Sequence, residues 1–330
     1  MKKYHFKRFI QKIDEALLPF LKKISNRNGN LIILGFHNLC REISDLSREI
    51  LFPPNCLSLS KFKRCINYFL KNKYTFISPI EILEGLDPTK NFAMITFDDG
   101  YHNVMLSLPV LKKHNIPAVF FISYNHILEQ KCFWWDVLYR ERKKQGIRDE
   151  KIIEEMNECL LEKTNIIEKK MKKKFGKNIF TPVSNLDRPL TVEELKYLSK
   201  KDFMCIGNHT MNHAILPNYS IKKKKEQISD TQTSINKLIY KTPQVIAYPN
   251  GKYSNEIIEL CKRCNLKMGI TSDYRKNKVC KLNNNDKMLK LGRFIIENHE
   301  KIKNRCQIFE LDFSIMGFLQ RFIRFFQLHD

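Results

Sequence analysis

Strand-sized runs of nearly continuous apolar residues recur along this 330-residue chain and constrain its fold more than any other feature. Helical patterns, such as those over 60–71, 191–199 and 220–240, separate them. The seven runs are 31–36, 74–77, 92–97, 118–122, 204–207, 245–248 and 268–271. Strands without polar alternation are buried on both faces, as they are when helices cover a parallel sheet. We therefore expect an α/β fold, with a parallel sheet or barrel surrounded by helices.

Three segments do not follow this alternation. Residues from about 132 to 190 contain no strand-like run and continue from Phe133, Trp134 and Trp135 as charged helical sequence, which predicts a helical insertion. Both ends show helical spacing of apolar residues, and the tail adds Arg321 and Arg324. We expect an amphipathic helix over 1–29, a main domain over 30–300, and a basic amphipathic helix over 301–330. These terminal helices either pack on the barrel or lie in a membrane interface.

The formal net charge is +23, from 58 Lys and Arg against 35 Asp and Glu. Most of the excess consists of scattered lysine runs, which favours solvated helix faces over a nucleic-acid groove; an anionic membrane surface stays open. No apolar run approaches the roughly 20 residues that span a bilayer. Charges interrupt the apolar residues of 1–24, so we expect no signal peptide there.

Ten cysteines are spread along the chain, and several lie in apolar segments where a thiol packs as a small hydrophobe. Cys261 and Cys264 form a C-x-x-C, but no second pair completes a zinc site of that kind. A chain of this length does not depend on disulfides. We expect a reduced, cytoplasmic protein, with peripheral attachment at the inner membrane face as the open alternative.

Polar and titratable residues follow four of the predicted strands. His37 follows the first, Asp98, Asp99 and Gly100 follow the third, and His209 follows the fifth. Pro249, Asn250 and Gly251 follow the sixth. The carboxyl ends of parallel barrel strands lie on one face, and that face carries the active site. We expect these side chains to lie close together.

Two histidines and a carboxylate are a known metal-binding composition. His209 and His213 could each offer an imidazole nitrogen, and Asp99 a carboxylate oxygen, in a site that keeps positions open for water and substrate. Both parts of this candidate site have an alternative interpretation. Two histidines four residues apart often lie on a helix or loop surface without binding a metal. Asp-Asp-Gly also suits a turn between strand and helix.

The sequence resembles the polysaccharide deacetylase (NodB-homology, carbohydrate esterase family 4) family in three ordered motifs. They are Thr96-Phe97-Asp98-Asp99-Gly100, His209-Thr210-Met211-Asn212-His213 and Tyr248-Pro249-Asn250-Gly251. The early Leu34-Gly35-Phe36-His37-Asn38 further resembles the circularly shifted poly-N-acetylglucosamine deacetylase branch. The similarity covers roughly residues 30 to 275, apart from the insertion. It implies a distorted (β/α) barrel and metal-dependent hydrolysis of an N-acyl group on a sugar.

The resemblance implies a role for each matching residue. Asp99, His209 and His213 would bind a divalent metal, zinc first, with iron, cobalt or nickel as alternatives. Asp98 would be the general base and His37 the general acid, and the backbone N–H of Tyr101 would assist at the oxyanion. The third motif, made of Tyr248, Pro249, Asn250 and Gly251, would bind substrate.

The chain departs from the family pattern around the base. Where many members carry an arginine two residues before the proline of the third motif, this chain has Ala247. Arg293 could supply that guanidinium or could be a surface residue. The tryptophan-containing fourth motif is not evident near 272–274, and the late leucine-rich histidine motif is missing, as expected if His37 replaces it. Trp134 and Trp135 either anchor the insertion or stack on sugar.

Three functions remain open on these grounds. The first is a metal-dependent N-deacetylase acting on an amino sugar of a bacterial cell-envelope polysaccharide or its precursor. The second is a deformylase on a lipid-linked formamido sugar, since pocket size cannot be read from sequence. The third is a non-catalytic protein that binds membrane or polyanion, against which the Asp99, His209 and His213 set argues. The expected partner is a carbohydrate carrying an N-acyl amino sugar.

Overall fold

The computed structural model describes residues 2–26, 28–282, 285–298, 301–319 and 322. The strands of the described chain are β1 (Asn30–Phe36), β2 (Asn38–Cys40), β3 (Cys56–Ser58), β4 (Thr75–Phe76), β5 (Phe92–Phe97), β6 (Ala118–Ile122), β7 (Met204–Asn208), β8 (Val245–Ala247), β9 (Met268–Ile270), β10 (Asn277–Lys278) and β11 (Phe294–Ile295).

The α-helices are α1 (Lys2–Ile24), α2 (Leu59–Lys71), α3 (Pro79–Glu84), α4 (Leu108–Lys113), α5 (Tyr124–Glu129), α6 (Trp134–Lys144), α7 (Asp149–Cys159), α8 (Thr164–Phe175), α9 (Val192–Ser199), α10 (Ile221–Ile239), α11 (Asn255–Arg263), α12 (Asn285–Met288) and α13 (Ile302–Phe309). Short 3-10 segments occur at Ile43–Arg48, Pro53–Asn55, His102–Ser107, Leu216–Asn218, Pro249–Gly251 and Val279–Lys281.

One curled, nine-stranded sheet organises the molecule, with the order β10-β1-β5-β6-β7-β8-β9. Strand β11 also pairs with β1, and β4 with β5; the pairing of β10 with β1 is antiparallel, while the other pairs are parallel. Strands β2 and β3 form a separate parallel pair. This is the distorted (β/α) barrel that the family resemblance implies.

The strand register explains why distant residues meet at one edge of the sheet. Phe36 at the end of β1 lies opposite Phe97 at the end of β5. The residues that follow, His37 and Asp98, therefore emerge side by side. Ile122 at the end of β6 lies opposite Asn208 at the end of β7, which brings the next loop to the same edge.

The central strands are buried on both faces, as their continuous apolar character predicts. Every residue of β1, β5 and β6 is buried. Alternate residues join two different cores, so Ile32 and Ile95 pack with the large helical core while Ile33 and Met94 pack with a second core on the other face. Period-two alternation of side chains across a strand produces this division.

Most predicted boundaries lie within two residues of the observed ones, because the signals that set them are local. The helix starting after Thr191 begins with a capping box, in which the Thr191 side chain accepts from the Glu194 N–H and the Glu194 side chain accepts from the Thr191 N–H. Strands β2, β3, β10 and β11 were not predicted, because none of them lies in an apolar run of four or more residues.

The segment between β6 and α9 contains α5 to α8 and no strand. Near the tail, α13 and a helical turn over 315–319 take the place of one continuous helix, and Arg321 and Arg324 lie outside the described residues. Helix α1 packs against α13. Among the described residues, no helix combines the length and the apolar character that a bilayer crossing requires.

Candidate metal centre

The loop after β5 presents two adjacent carboxylates. The Asp98 N–H donates to the Phe36 carbonyl at 2.9 Å, which carries the β1–β5 pairing one residue past the strand. Asp99 and Gly100 then adopt φ values of 72° and 90°, in the left-handed region that residues with a side chain seldom enter. Such outliers concentrate at functional sites. These φ values turn the chain sharply at the end of β5, before the 3-10 segment His102–Ser107.

The loop after β7 brings two histidines together through a tight turn rather than a helix. The His209 N–H donates to the Ile122 carbonyl at 3.0 Å, and Thr210 and His213 have φ values of 65° and 49°. The Thr210 N–H donates to Asn208 Oδ1 at 2.8 Å, and Thr210 Oγ1 accepts from the Ala214 N–H at 2.7 Å. These bonds hold the two imidazole rings 4.9 Å apart, centroid to centroid.

Asp99, His209 and His213 converge in the folded chain. Asp99 Oδ1 lies 3.4 Å from His209 Nε2 and 3.3 Å from His213 Nε2. All three candidate ligand atoms fall within 4.8 Å of one another, and all three residues are buried. The geometry that the sequence could only suggest is therefore present.

The hydrogen bonding of these residues suits a cation. Both carboxylate oxygens of Asp99 are buried and have no hydrogen-bond partner among the described protein atoms, although buried polar atoms are normally paired. His209 Nδ1–H donates to the Ala247 carbonyl at 2.8 Å, which leaves Nε2 directed at Asp99 with its lone pair. Two imidazole nitrogens and one carboxylate oxygen suit zinc, iron, cobalt or nickel.

Asp98 is held beside this cluster by Arg293, which contributes two parallel hydrogen bonds of 2.6 and 2.7 Å to its carboxylate. Arg293 Nη1 also donates to Thr96 Oγ1 at 3.2 Å. His37 Nε2 lies 3.9 Å from Asp98 Oδ2, and His209 Nε2 lies 4.0 Å from the same oxygen. The guanidinium beside Asp98 thus comes from the residue directly before β11, a part of the chain distant from Ala247.

Burial and neighbouring charge act against each other in this cluster. Burial tends to raise the pKa of Asp98, but the Arg293 guanidinium, together with His209 and His37, outweighs burial and holds that pKa well below its usual range. Burial lowers the pKa of the His213 imidazole to about 4, against the attraction of Asp99. Burial also opposes protonation of His209, yet Asp98 and Asp99 together raise its pKa. Asp98 is therefore an ionised carboxylate, and His213 a neutral imidazole, at neutral pH.

A pocket of about 300 Å³ opens onto these residues. His37, Asp98, Asp99, His209 and His213 line its polar side. Its other walls come largely from the insertion and the loop before β3, through Trp134, Trp135, Met156, Leu160, Phe52 and Asn55. The Trp135 ring contacts the His213 ring edge-on, with centroids 4.6 Å apart. Both tryptophans therefore belong to the pocket as well as to the base of the insertion.

The third motif divides between core and pocket. The Tyr248 side chain is buried, and its hydroxyl donates to the Leu289 carbonyl at 3.0 Å, so it packs in the core beneath the loop. Pro249 is also buried and does not line the pocket, whereas Asn250 and Gly251 do. A Cβ on Gly251 would come within 1.9 Å of Ser272 Oγ, and its φ is 64°, so this position needs glycine.

Tyr101, which follows Gly100, does not line this pocket, and its backbone and hydroxyl make separate contacts around it. It forms an isolated bridge with Pro189 in which the hydrogen bonds are made by its neighbours, His102 N–H to Arg188 O and Leu190 N–H to Gly100 O. Its own N–H lies outside that pairing. Its hydroxyl donates to Asp136 Oδ2 at 2.5 Å and accepts from Trp135 Nε1 at 2.9 Å.

Asp136, a buried carboxylate beside this site, was not predicted from the sequence. It is fully buried, and its Oδ1 accepts from the Phe52 N–H at 2.8 Å. Burial raises its pKa to about 7. The available signal was an aspartate directly after two tryptophans, in a segment where a charged residue looked like part of a solvated helix face.

Comparison with known proteins gives consistent results. Residues 85–269 match the model of the polysaccharide deacetylase family. The curated protein YxkH of Bacillus subtilis (strain 168) is 20% identical over 269 residues, covering 80% of this chain and 71% of YxkH.

Two solved structures share the fold along most of this chain. The deacetylase PplD of Streptococcus pyogenes, solved in complex with acetate, superposes with a TM-score of 0.57 at 18% identity, over 86% of this chain and 99% of PplD. IcaB of Ammonifex degensii gives a TM-score of 0.55 at 15% identity, over 86% of this chain and 98% of IcaB.

Proposed function

The chain belongs to the polysaccharide deacetylase family, and on that ground we propose that it hydrolyses the N-acetyl group of an amino sugar in a bacterial cell-envelope polysaccharide or its precursor. The observation that carries the proposal is the meeting of two sets of residues in one pocket. Asp99, His209 and His213 offer a ligand set, and Asp98 and His37 offer an acid–base pair beside it.

The proposed cofactor is a divalent metal ion, zinc first, held by Asp99, His209 and His213. Such an ion supplies Lewis acidity toward the acyl oxygen and lowers the pKa of a nearby water. The chain contributes the fixed ligand geometry. The His209 bond to the Ala247 carbonyl sets the ring orientation, and the buried Trp135 ring covers one side of His213.

In the first proton transfer, the Asp98 carboxylate takes a proton from the attacking water as the new carbon–oxygen bond forms. Arg293 occupies both oxygens of Asp98 with charge-assisted hydrogen bonds, which fixes the plane of the base and keeps it ionised. The Tyr101 N–H is proposed to donate to the acyl oxygen as negative charge develops on it.

In the second proton transfer, the His37 imidazolium donates to the sugar nitrogen as the carbon–nitrogen bond breaks, giving an amine and acetate. His37 is suited to this because its side chain is 20% exposed on the pocket wall and lies beside the base, with Nε2 3.9 Å from Asp98 Oδ2. An acid and a base in the same pocket can serve the two successive proton transfers of amide hydrolysis.

The test combines metal analysis with acetate release. We expect the purified protein to bind about one divalent ion per chain and to release acetate from oligomers of N-acetylglucosamine. Asp99→Ala is expected to lose the metal and the activity. Asp98→Asn is expected to keep the metal while kcat falls by roughly two to four orders of magnitude, the range for loss of a general base.

The exposed Asp202→Asn serves as the matched control and is expected to change neither quantity. Formylated and acetylated forms of the same sugar are assayed in parallel, and higher activity on the formylated form would replace the acetyl proposal with a deformylase. A purified Asp99→Ala protein with unchanged metal content and activity would contradict the proposed ligand set.

A further inference from the structure

Helix α1 directs a second apolar stripe away from the protein. Its buried stripe, which includes Ile10, Leu18 and Leu21, packs into the core. Each residue of an α-helix is rotated by about 100° from the one before it. On this basis, a separate set of side chains falls within one arc of about 80° around the α1 axis. These side chains are Phe9, Leu17, Phe20 and Ile24, which are 59%, 38%, 63% and 65% exposed. We call them the α1 stripe.

A row of aromatic side chains runs beside the same helix. Asp312 Oδ2 accepts from the Asn26 N–H at 2.6 Å, and Asp14 Oδ1 accepts from the Ile315 N–H at 2.6 Å, so the segment that follows α13 lies antiparallel to α1. Phe313, Phe318 and Phe322 on this segment are 41%, 49% and 53% exposed, and successive ring centroids are 6.2 Å apart. Exposed apolar side chains that cluster in one region of a protein surface indicate an interaction site.

A basic groove of about 1130 Å³ continues from the last turn of α1, between α2, α13 and the residues just before β5. Arg64, Lys71, Lys73 and Lys303 contribute to its lining, as do Lys22, Lys90 and Lys301. The one carboxylate among the described lining residues, that of Glu310, accepts from the Tyr68 hydroxyl at 2.5 Å. Lys90 and Lys301 lie 3.4 and 3.7 Å from Asp87 and Glu15, which offsets part of their charge.

The groove is separate from the metal centre. Asn91, which lines the groove, directly precedes β5, and Asp98 directly follows that strand. Six strand residues span roughly 20 Å. The groove and the pocket thus lie at opposite ends of β5, and the groove has no part in the chemistry proposed above.

We infer that the α1 stripe, the neighbouring aromatic row and the basic groove together form a docking surface for an anionic lipid bilayer. Phe, Leu and Ile side chains on an interfacial helix bury themselves at the boundary between headgroups and acyl chains. Lysines and arginines next to them are attracted to the phosphates of an anionic leaflet. A nucleic acid would match the groove, but it would leave the aliphatic Leu17 and Ile24 without a partner.

Vesicle flotation with the full-length protein tests this inference. Phosphatidylcholine vesicles with and without phosphatidylglycerol are compared at about 0.15 M salt. The groove variant is Arg64→Gln/Lys71→Gln/Lys73→Gln, and its control, Lys169→Gln/Lys173→Gln/Lys222→Gln, removes the same charge from exposed sites elsewhere. The stripe variant is Phe20→Ser/Ile24→Ser, and its control is Ile80→Ser/Leu161→Ser, which replaces two exposed apolar residues outside the surface.

Binding is expected only with phosphatidylglycerol. The groove variant should weaken it on the order of 10- to 100-fold, because each basic residue near an anionic surface contributes measurably. The stripe variant should weaken it about tenfold or more, and both controls should stay within about twofold of the parent protein.

Three results would overturn the inference. The first is an equal loss of vesicle binding in the groove variant and its control, which would show that only the net charge of the protein matters. The second is unchanged vesicle binding by the stripe variant. The third is displacement from vesicles by single-stranded DNA with no contribution from the stripe, which would assign the groove to nucleic acid. Acetate release from a soluble substrate should be the same in all four variants, so the failure of one proposal is distinguishable from that of the other.

Discussion

Arg293 and Asp98 form a buried bidentate ion pair at the pocket, although 195 residues of chain separate them. The two hydrogen bonds measure 2.6 and 2.7 Å, and both side chains are almost inaccessible to solvent. Paired geometry of this kind fixes orientation as well as charge. Arg293 is therefore a positioning residue for the proposed base.

Replacing Arg293 should impair turnover more than substrate binding. We expect Arg293→Lys to lower kcat by roughly 10-fold and Arg293→Met by roughly 100-fold or more, with KM changed less, because lysine restores the charge but not the two-point contact. Steady-state kinetics on an acetylated oligosaccharide, with metal content as a second measurement, checks this. Equal loss of bound metal in both variants would show that Arg293 acts through the metal site instead.

Gly35 makes room for the Arg293 side chain. A Cβ at this position would come within 2.9 Å of Arg293 Cδ and 2.7 Å of Ile295 Cδ1. We expect Gly35→Ala to displace the guanidinium and lower kcat by about tenfold.

The double variant with Arg293→Met is the control for this prediction. Once the guanidinium has been removed, the added methyl group should lower kcat no further, so the two effects should not multiply. Fully multiplicative losses would contradict the proposed contact.

The effect of replacing His37 on kcat should be largest for substrates with a poor leaving group. We expect His37→Gln to lower kcat on an N-acetyl sugar by roughly 100-fold or more, because the amine must be protonated as the carbon–nitrogen bond breaks. An activated ester such as 4-nitrophenyl acetate needs no such proton, so its hydrolysis should fall less than about threefold. Similar losses on both substrates would exclude the general-acid role.

Asp136 should give the folding stability a specific pH dependence. Burial raises its pKa from 3.8 to about 7 in the folded protein. Because the folded state then binds the proton more tightly than the unfolded chain, the stabilisation from protonation is complete below about pH 4 and is lost as the pH rises through about 7.

The comparison with Asp136→Asn measures this contribution. An amide can still accept from the Phe52 N–H but does not titrate. The free energy of unfolding of the parent protein, relative to this variant, should fall by about 1.4 kcal/mol per pH unit between about pH 4 and 7. Urea unfolding at several pH values checks the slope, with the exposed Asp202→Asn as a flat control. A difference that does not vary with pH would mean that Asp136 is ionised in the fold throughout this range.

Local sequence patterns predicted most of the fold. The runs 92–97 and 118–122 coincide with β5 and β6, because a strand buried on both faces leaves an uninterrupted apolar signature. The positions of Asp99, His209 and His213 after such strands also predicted that they would meet, since parallel strands deliver their carboxyl ends to one edge. The strand register then determines how close together the residues that follow these strands lie.

Contacts between distant segments were not readable in the same way. Arg293 had two equally plausible interpretations until β11 was seen to pair with β1 and bring it to Asp98. Asp136 looked like one more charge on a solvated helix, and only the packing of the insertion over the pocket buries it beneath Phe52 and Tyr101. Burial depends on what covers a residue, which the neighbouring sequence does not specify.

The amino-acid sequence by itself determined the α/β class, the order of the main strands and the residue types at their ends, because each follows from short-range periodicity and spacing. The tertiary structure alone decided which arginine orients Asp98, which segment walls the pocket and which apolar stripe of α1 faces solvent. The physical reason is that these properties depend on pairings across long stretches of chain. Loop closure and packing of the whole molecule settle such pairings, and no local signal records them.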